Sequence, residues 1–183
     1  MAEVPTRTGE PRILSHDSLL RFSAERFFDD KRIAFLGQEP GHGPRIYVQD
    51  TDGGQPRAIT PEGASVNSRI SPDGKWAAVE MGTDLNSIMY PGNGGIPLQI
   101  ADIPPGEVPS AWSKDNRFLY TYRLGAVPVR VYQVNTSTGT RTLWKTLAPP
   151  DPIGLSFVSN IFFRRPGELC VQHQSQTRCS LCR

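Results

Sequence analysis

Apolar and polar residues alternate along this chain in short runs and never in long stripes. In Val129-Arg130-Val131-Tyr132-Gln133-Val134, valines stand against Arg130 and Gln133 with a period of two, as in a half-buried strand. Other strand-length runs end at turn chemistry. Pro72-Asp73-Gly74 is the strongest: proline presets φ, aspartate bonds to nearby backbone, and glycine accepts positive φ. No window of helical length carries a capped apolar stripe of 3.6-residue period. SHDSLLRFSAERFF at 15–28 comes nearest, and its second half falls where the repeat described next needs a first strand.

Four segments pair a small-residue turn with a strand-like run: GEPRILS at Gly9, GQPRAIT at Gly54, GIPLQIA at Gly95 and GTRTLWK at Gly139. Their steps are about 45, 41 and 44 residues. Asp29, Asp73 and Asp115, each two residues before a lysine or arginine, keep the same beat at about 44 and 42. Each unit divides into four short strands, predicted at 66–70, 75–81, 86–90 and 97–101 in one and at 108–112, 117–123, 129–135 and 140–145 in the next. The expected class is all-β: a partial β-propeller of about three full four-stranded blades plus parts of two more. An outer strand at 11–15 opens the chain, and a further blade starts near Ile153.

Composition then narrows the function. Seventeen glycines and seventeen prolines, spread evenly over 183 residues, fit many turns. A net charge of +2, with Arg164–Arg165 the nearest thing to a basic cluster, gives no reason to expect nucleic acid. No apolar run nears the roughly 20 residues of a membrane span, and the start lacks the pattern of a secretory signal. The compartment stays unassigned.

SPDGKWAAV, preceded by RIYVQDTDGGQPRAIT, resembles the TolB-like Pro-Asp-Gly-Lys propeller repeat. Over residues 9–163 the chain is most similar to the propeller C-terminal to bacterial serine/threonine kinase domains, where segments like GQEPGHGPRIYVQDTDGGQPRAITPEG recur. The resemblance implies a sensory or protein-binding ring of about six blades in the intact parent. It also implies a position outside the cytoplasmic membrane if that parent is the receptor-like kinase. The chain holds no glycine-rich nucleotide loop, no His-Arg-Asp, no Asp-Phe-Gly and no G-x-S-x-G elbow. The expectation is therefore no enzyme, with no catalytic residue, cofactor or metal, and a protein partner or small ligand at the propeller loops. A closed ring needs at least ~4 blades, so the chain reads as a fragment.

The C-terminus departs from the repeat. Cys170, Cys179 and Cys182 are the only cysteines, and with His173 they form C-x-x-H followed by C-x-x-C. A Cys₃His zinc site is conceivable, but only five residues separate His173 from Cys179, far fewer than the roughly 12 between ligand pairs in common fingers. A redox C-x-x-C lacks its βαβ context. Leu169–Ser175 can be encoded so that a one-nucleotide shift reads Tyr-Ala-Tyr-Ser-Ile-Asn-Arg, similar to the strand that the kinase-associated propeller has there. Residues 1–163 are thus assigned to the propeller and 164–183 to an out-of-frame or disordered tail.

Remaining candidates have plain structural readings beside functional ones. Gly41-His42-Gly43 hints at a phosphate loop, but no helix follows to lend donors, so a hairpin connection is expected with His42 at its tip. Asp50, Asp52, Asp73 and Asp115 are turn formers. Trp76, Trp112 and Trp144 are expected between blades, with an aromatic platform as the alternative. Arg123, Arg130 and Tyr132 are candidates for a channel mouth or, equally, an ordinary solvated face. Three classes stay open: a binding propeller, a piece of a kinase, and a gene remnant.

Overall fold

The computed structural model describes residues 2–3, 12–13, 19–26, 31–100, 103–148, 158–165 and 168–173. They form sixteen strands and, among the described residues, no helix. β1 (Ala2–Glu3) pairs with β2 (Arg12–Ile13). Blade 1 comprises β3 (Leu20–Arg26), β4 (Arg32–Gln38), β5 (Arg45–Asp50) and β6 (Arg57–Ala58). Blade 2 comprises β7 (Arg69–Ile70), β8 (Trp76–Met81), β9 (Asn86–Pro91) and β10 (Leu98–Gln99). Blade 3 comprises β11 (Glu107–Trp112), β12 (Phe118–Arg123), β13 (Val129–Asn135) and β14 (Arg141–Leu147). β15 (Val158–Arg165) and β16 (Glu168–His173) pair as a hairpin. Every sheet is an antiparallel meander with strands in chain order, so the partial propeller read from the repeat is the observed fold.

Successive sheets meet through their first strands. The Arg69 Nε on β7 donates to the Ser110 carbonyl on β11 at 2.6 Å, and the Trp112 Nε1 donates back to the Arg69 carbonyl at 3.0 Å. Each middle blade therefore has two covered faces, and consecutive residues of one strand serve different interfaces. On β8 and β9, Ala77, Val79, Met81 and Tyr90 pack toward blade 1 against Ala34, Leu36, Ile46 and Val48. Ala78 and Met89 pack the other way, against Leu119 and Val134 of blade 3, with Trp76 and Trp112 at the margin. This two-sided burial explains why Trp76-Ala-Ala-Val-Glu-Met81 reads as a nearly unbroken apolar run. It also corrects the simple alternation expected of β13: Val134 lies on the face of Arg130, and Gln133 is only half-buried, because both faces are covered.

The aspartate turn is the same device in two blades. The Ser71 hydroxyl donates to Asp73 Oδ1 at 2.7 Å and accepts the Trp76 amide at 3.0 Å, while the Lys75 amide donates to Asp73 Oδ1 at 3.1 Å. In blade 3, Ser113, Asp115, Phe118 and Arg117 repeat these contacts at 2.6, 2.9 and 3.2 Å. Gly74 sits at φ 66° and Asn116 at φ 61°, the left-handed position that glycine and asparagine accept best. Asn116 adds a bond that glycine cannot make: its Oδ1 accepts the Asp73 amide of the neighbouring blade at 3.2 Å. The beat closes with one further bond in every blade, from Thr51, Gly92 and Thr136 amides to the carbonyls of Lys31, Lys75 and Arg117.

These turns carry a pH dependence. The Ser113 hydroxyl and the Arg117 amide hold Asp115 below its ordinary value of 3.8. Burial pushes Asp73 up, but the Ser71 hydroxyl and Lys75 amide outweigh it, so it too lies below 3.8. A carboxylate lowered on folding stabilises fully above its unfolded value, and that contribution is lost as pH falls through the folded one. The melting temperature is expected to fall below about pH 4, and to fall less in the Asp73→Asn/Asp115→Asn double variant. Thermal denaturation from pH 6 to pH 2.5 checks this.

Several predicted boundaries shift. The first strand of blade 2, expected over 66–70, is only Arg69–Ile70, and Val66 is 62% exposed. Segment 63–68 instead serves as the connection between blades, its backbone tied to Pro44 and Glu80. The outer strand expected over 97–101 shrinks to Leu98–Gln99. Strand β16 lies past the boundary drawn at 163/164, and its register runs from Val158↔His173 to Arg165↔Glu168. Asp29 and 174–183 lie outside the described residues.

Candidate functional site

The two ends of the blades differ. One end carries the aspartate turns. The other carries the hairpins between each blade's second and third strands (39–44, 82–85 and 124–128) together with the connections from one blade to the next. This second end gathers the side chains with chemistry.

In blade 1, Gly41-His42-Gly43 forms the tip of the β4–β5 hairpin, as expected of a connection and not of a phosphate cradle. His42 is not a free side chain. Its Nδ1 lies 2.8 Å from Glu62 Oε1, which also accepts from Arg45 at 2.7 Å, while the Gly43 amide donates to Glu62 Oε2 at 2.9 Å. Glu62 lies on the connection leaving β6, so one carboxylate clamps the hairpin to the inter-blade segment. The Gly43 amide, with His42 and Arg45, lowers the Glu62 pKa to about 2. The Gly43 amide proton resonance is expected to titrate with a midpoint of about 2, and Glu62→Gln abolishes that titration. Two-dimensional NMR between pH 1.5 and pH 5 reads both. A Cβ at position 43 would sit 3.2 Å from Glu62 Cβ and Oε2, which explains glycine there.

In blade 3, Glu107, Thr121, Tyr132 and Arg141 share one sheet face, as the pairings 107↔123, 121↔132 and 134↔141 require. Glu107 is 3% exposed. Its Oε2 accepts from Thr121 Oγ1 at 3.0 Å and from Arg141 Nε at 3.1 Å, and its Oε1 accepts from the other end of the same guanidinium. Arg141 Cζ stands 3.3 Å over the Tyr132 ring centroid, so the cation is held between a carboxylate and a π face. The Ser87 hydroxyl of blade 2 donates to the Glu107 carbonyl at 2.9 Å, fixing the strand to its neighbour.

Beside this pair lies a cavity of about 280 Å3. Glu107, Arg123, Arg130 and Tyr132 form its polar side, and Ala126, Val127 and Pro128 of the hairpin form its apolar side. The three residues picked from sequence thus meet, but on the wall of β12 and β13, the second and third strands from the axis, so the expected channel mouth becomes a lateral pocket. Sequence reading missed Glu107, Thr121 and Arg141. The available signal was a glutamate opening an otherwise apolar strand, Glu-Val-Pro-Ser-Ala-Trp, which needs a buried partner.

A second buried carboxylate, Glu80, lies at the same interface between blades 2 and 3 and accepts from Asn67 Nδ2 at 2.6 Å. Tyr122 sits close by, its phenol pushed up to about 12 by burial, with Arg69 opposing and Glu80 adding to the shift. Trp76 and Trp112 pack between blades as expected, while Trp144 packs on Tyr120 with centroids 4.9 Å apart. Asp50 closes β5, with the Gly53 amide donating to its carbonyl at 3.2 Å. Cys170 and His173 fall on β16, Arg164 and Arg165 on β15, and Cys179 and Cys182 lie outside the described residues. Among the described residues no three histidine, cysteine or acidic side chains are grouped to hold a metal, and no helix is long and apolar enough to cross a membrane.

No protein-family model and no curated protein matches the chain. Solved structures do. TolB from Acinetobacter baumannii is 18% identical with a TM-score of 0.60, covering 90% of this chain and 43% of its own. An oligogalacturonate lyase in complex with manganese is 15% identical with a TM-score of 0.61, covering 87% and 48%. A prolyl endopeptidase is 14% identical with a TM-score of 0.58, covering 85% and 26%. The chain therefore spans less than half the length of each of these structures. The expectation that the protein is not an enzyme is corrected by the last two, since the same stack of sheets serves in a lyase and a peptidase and the fold excludes no catalysis. What the likeness shows is architecture: the chain is an arc of a TolB-like β-propeller.

Proposed function

We propose that this chain is the binding arc of a larger propeller, and that its working surface is the end built from the β4–β5, β8–β9 and β12–β13 hairpins. One observation carries this reading: a preformed cavity beside an ion pair whose carboxylate is buried and bonded at both oxygens, on paired strands and next to a hairpin. Holding a polar constellation in place before a ligand arrives costs stability, and binding sites recover that cost. At the opposite end, the aspartate turns use their polar groups on their own backbone. Amide shift mapping with a mixed library of neutral, cationic and anionic small molecules tests the assignment. Shifts confined to 39–44, 82–85, 105–107 and 123–130 are expected; shifts confined to the aspartate-turn end would contradict it.

A second reading makes this arc part of the sensor propeller of a membrane-anchored bacterial serine/threonine kinase, outside the cytoplasmic membrane. The Ser-Pro-Asp-Gly-Lys turn and the Gly37–Gly63 segment favour it, and Leu169–Ser175 can be encoded so that a one-nucleotide shift would read as a Tyr-rich strand. On this reading 164–183 is out of frame. Sequencing the locus decides: an upstream in-frame kinase domain supports the reading, and codons that yield no such strand in either neighbouring frame remove the frameshift.

A further inference from the structure

We infer that the blade 3 cavity takes a small organic carboxylate, gripped by Arg123 and Arg130 with its carbon chain against Ala126, Val127 and Pro128. This rests on the reading of the hairpin end as a binding surface. The charge balance is the first argument. The acid lining the cavity, Glu107, is already occupied: both its oxygens are bonded by Arg141, and Thr121 fills a further site. Arg123 and Arg130 are left with no ion pair among the described residues, and Arg123 gives one N–H to the Pro105 carbonyl at 3.2 Å. Two guanidinium groups on one wall, with no carboxylate bonded to either among the described residues, favour an anion.

The second argument is geometric. A guanidinium presents paired N–H donors that match the two oxygens of a carboxylate. Arg123 and Arg130 stand on the paired strands β12 and β13, joined by the five-residue hairpin 124–128, so both flank a single space. Size is the third. A volume of about 280 Å3 lies at the lower edge of small-molecule sites, roughly 300–1,000 Å3, which suits a short-chain ligand. The apolar hairpin side would leave a bare inorganic anion without contacts on half its surface, whereas a short carbon chain covers it.

Calorimetric titration of the full chain with glutarate, glutaramide and inorganic phosphate tests the inference. Glutarate is expected to bind with 1:1 stoichiometry, with glutaramide at least ~10-fold weaker because its neutral amides form no charge-assisted bonds. Arg130→Gln, at an exposed side chain with no bonded partner among the described residues, is expected to weaken glutarate at least ~10-fold with an unchanged melting temperature. Equal affinity for glutarate and glutaramide, tighter binding of phosphate than of glutarate, or glutarate affinity untouched by Arg130→Gln would each overturn it. If neutral library members fill the cavity and glutarate does not, the ligand class fails while the binding surface stands. If nothing in the library binds at that end, both fail.

Discussion

Replacing Arg141 with methionine lowers the unfolding free energy by about 3–5 kcal/mol, because it strands a buried carboxylate. Glu107 has 4% of its side chain exposed and draws charge compensation from Arg141 alone among its bonded partners, since Thr121 brings only a neutral hydroxyl. Glu107→Gln is milder, about 1–2 kcal/mol: the amide keeps an acceptor for Thr121, and Arg141, with 22% of its side chain exposed, recovers part of its hydration. Glu107→Leu combined with Arg141→Met restores much of the loss, because an apolar pair has no desolvation penalty to offset. Chemical denaturation of the three variants orders them. Should the double variant prove less stable than Arg141→Met, the carboxylate is not what makes the single change costly.

The other large effect lies at the interface of blades 2 and 3. Leu119 is 0% exposed and belongs to one buried cluster with Val134 of its own sheet and Ala78, Met89 and Ile100 on the blade 2 side, so Leu119→Ala loosens packing within its sheet and across to the next. The expected loss is about 3 kcal/mol, within the range of buried leucine truncations. The matching truncation Leu143→Ala, on the same face of the outer strand but 55% exposed, should change stability by less than about 1 kcal/mol. The contrast matters because both leucines look alike in the sequence. Position in the stack separates them, and a similar loss at both sites would mean that blade 3 is not covered as described.

The fold was legible because each blade repeats its own construction. Ser71-Pro-Asp-Gly-Lys and Ser113-Lys-Asp-Asn-Arg satisfy the same backbone donors with the same side chains, so the turn chemistry gave both period and phase. The ends of strands were less legible. β6, β7 and β10 are two residues long, since the chain leaves the ladder there to cross between blades; after β6 the Ser65 amide already donates to the Glu80 carbonyl of blade 2 at 2.9 Å. The candidate site was half legible. Arg123, Arg130 and Tyr132 stand out as polar residues on adjoining strands. Glu107 and Arg141 do not, because their pairing spans 34 residues and depends on the register of three strand pairs, which no local pattern reports. His42 illustrates the reverse: a conspicuous loop histidine is occupied by Glu62, twenty residues on.

Radial stacking of separate four-stranded sheets carries everything else, and methyl-to-methyl nuclear Overhauser contacts test it most directly. With selectively labelled alanine, leucine, methionine and valine, cross-peaks are expected from Leu119 and Val134 to Ala78 and Met89, and from Ala77 and Val79 to Leu36 and Val48. Cross-peaks that instead run from β10 to β11, edge to edge, with none between Leu119 and Met89, would describe one continuous sheet and contradict the propeller arc.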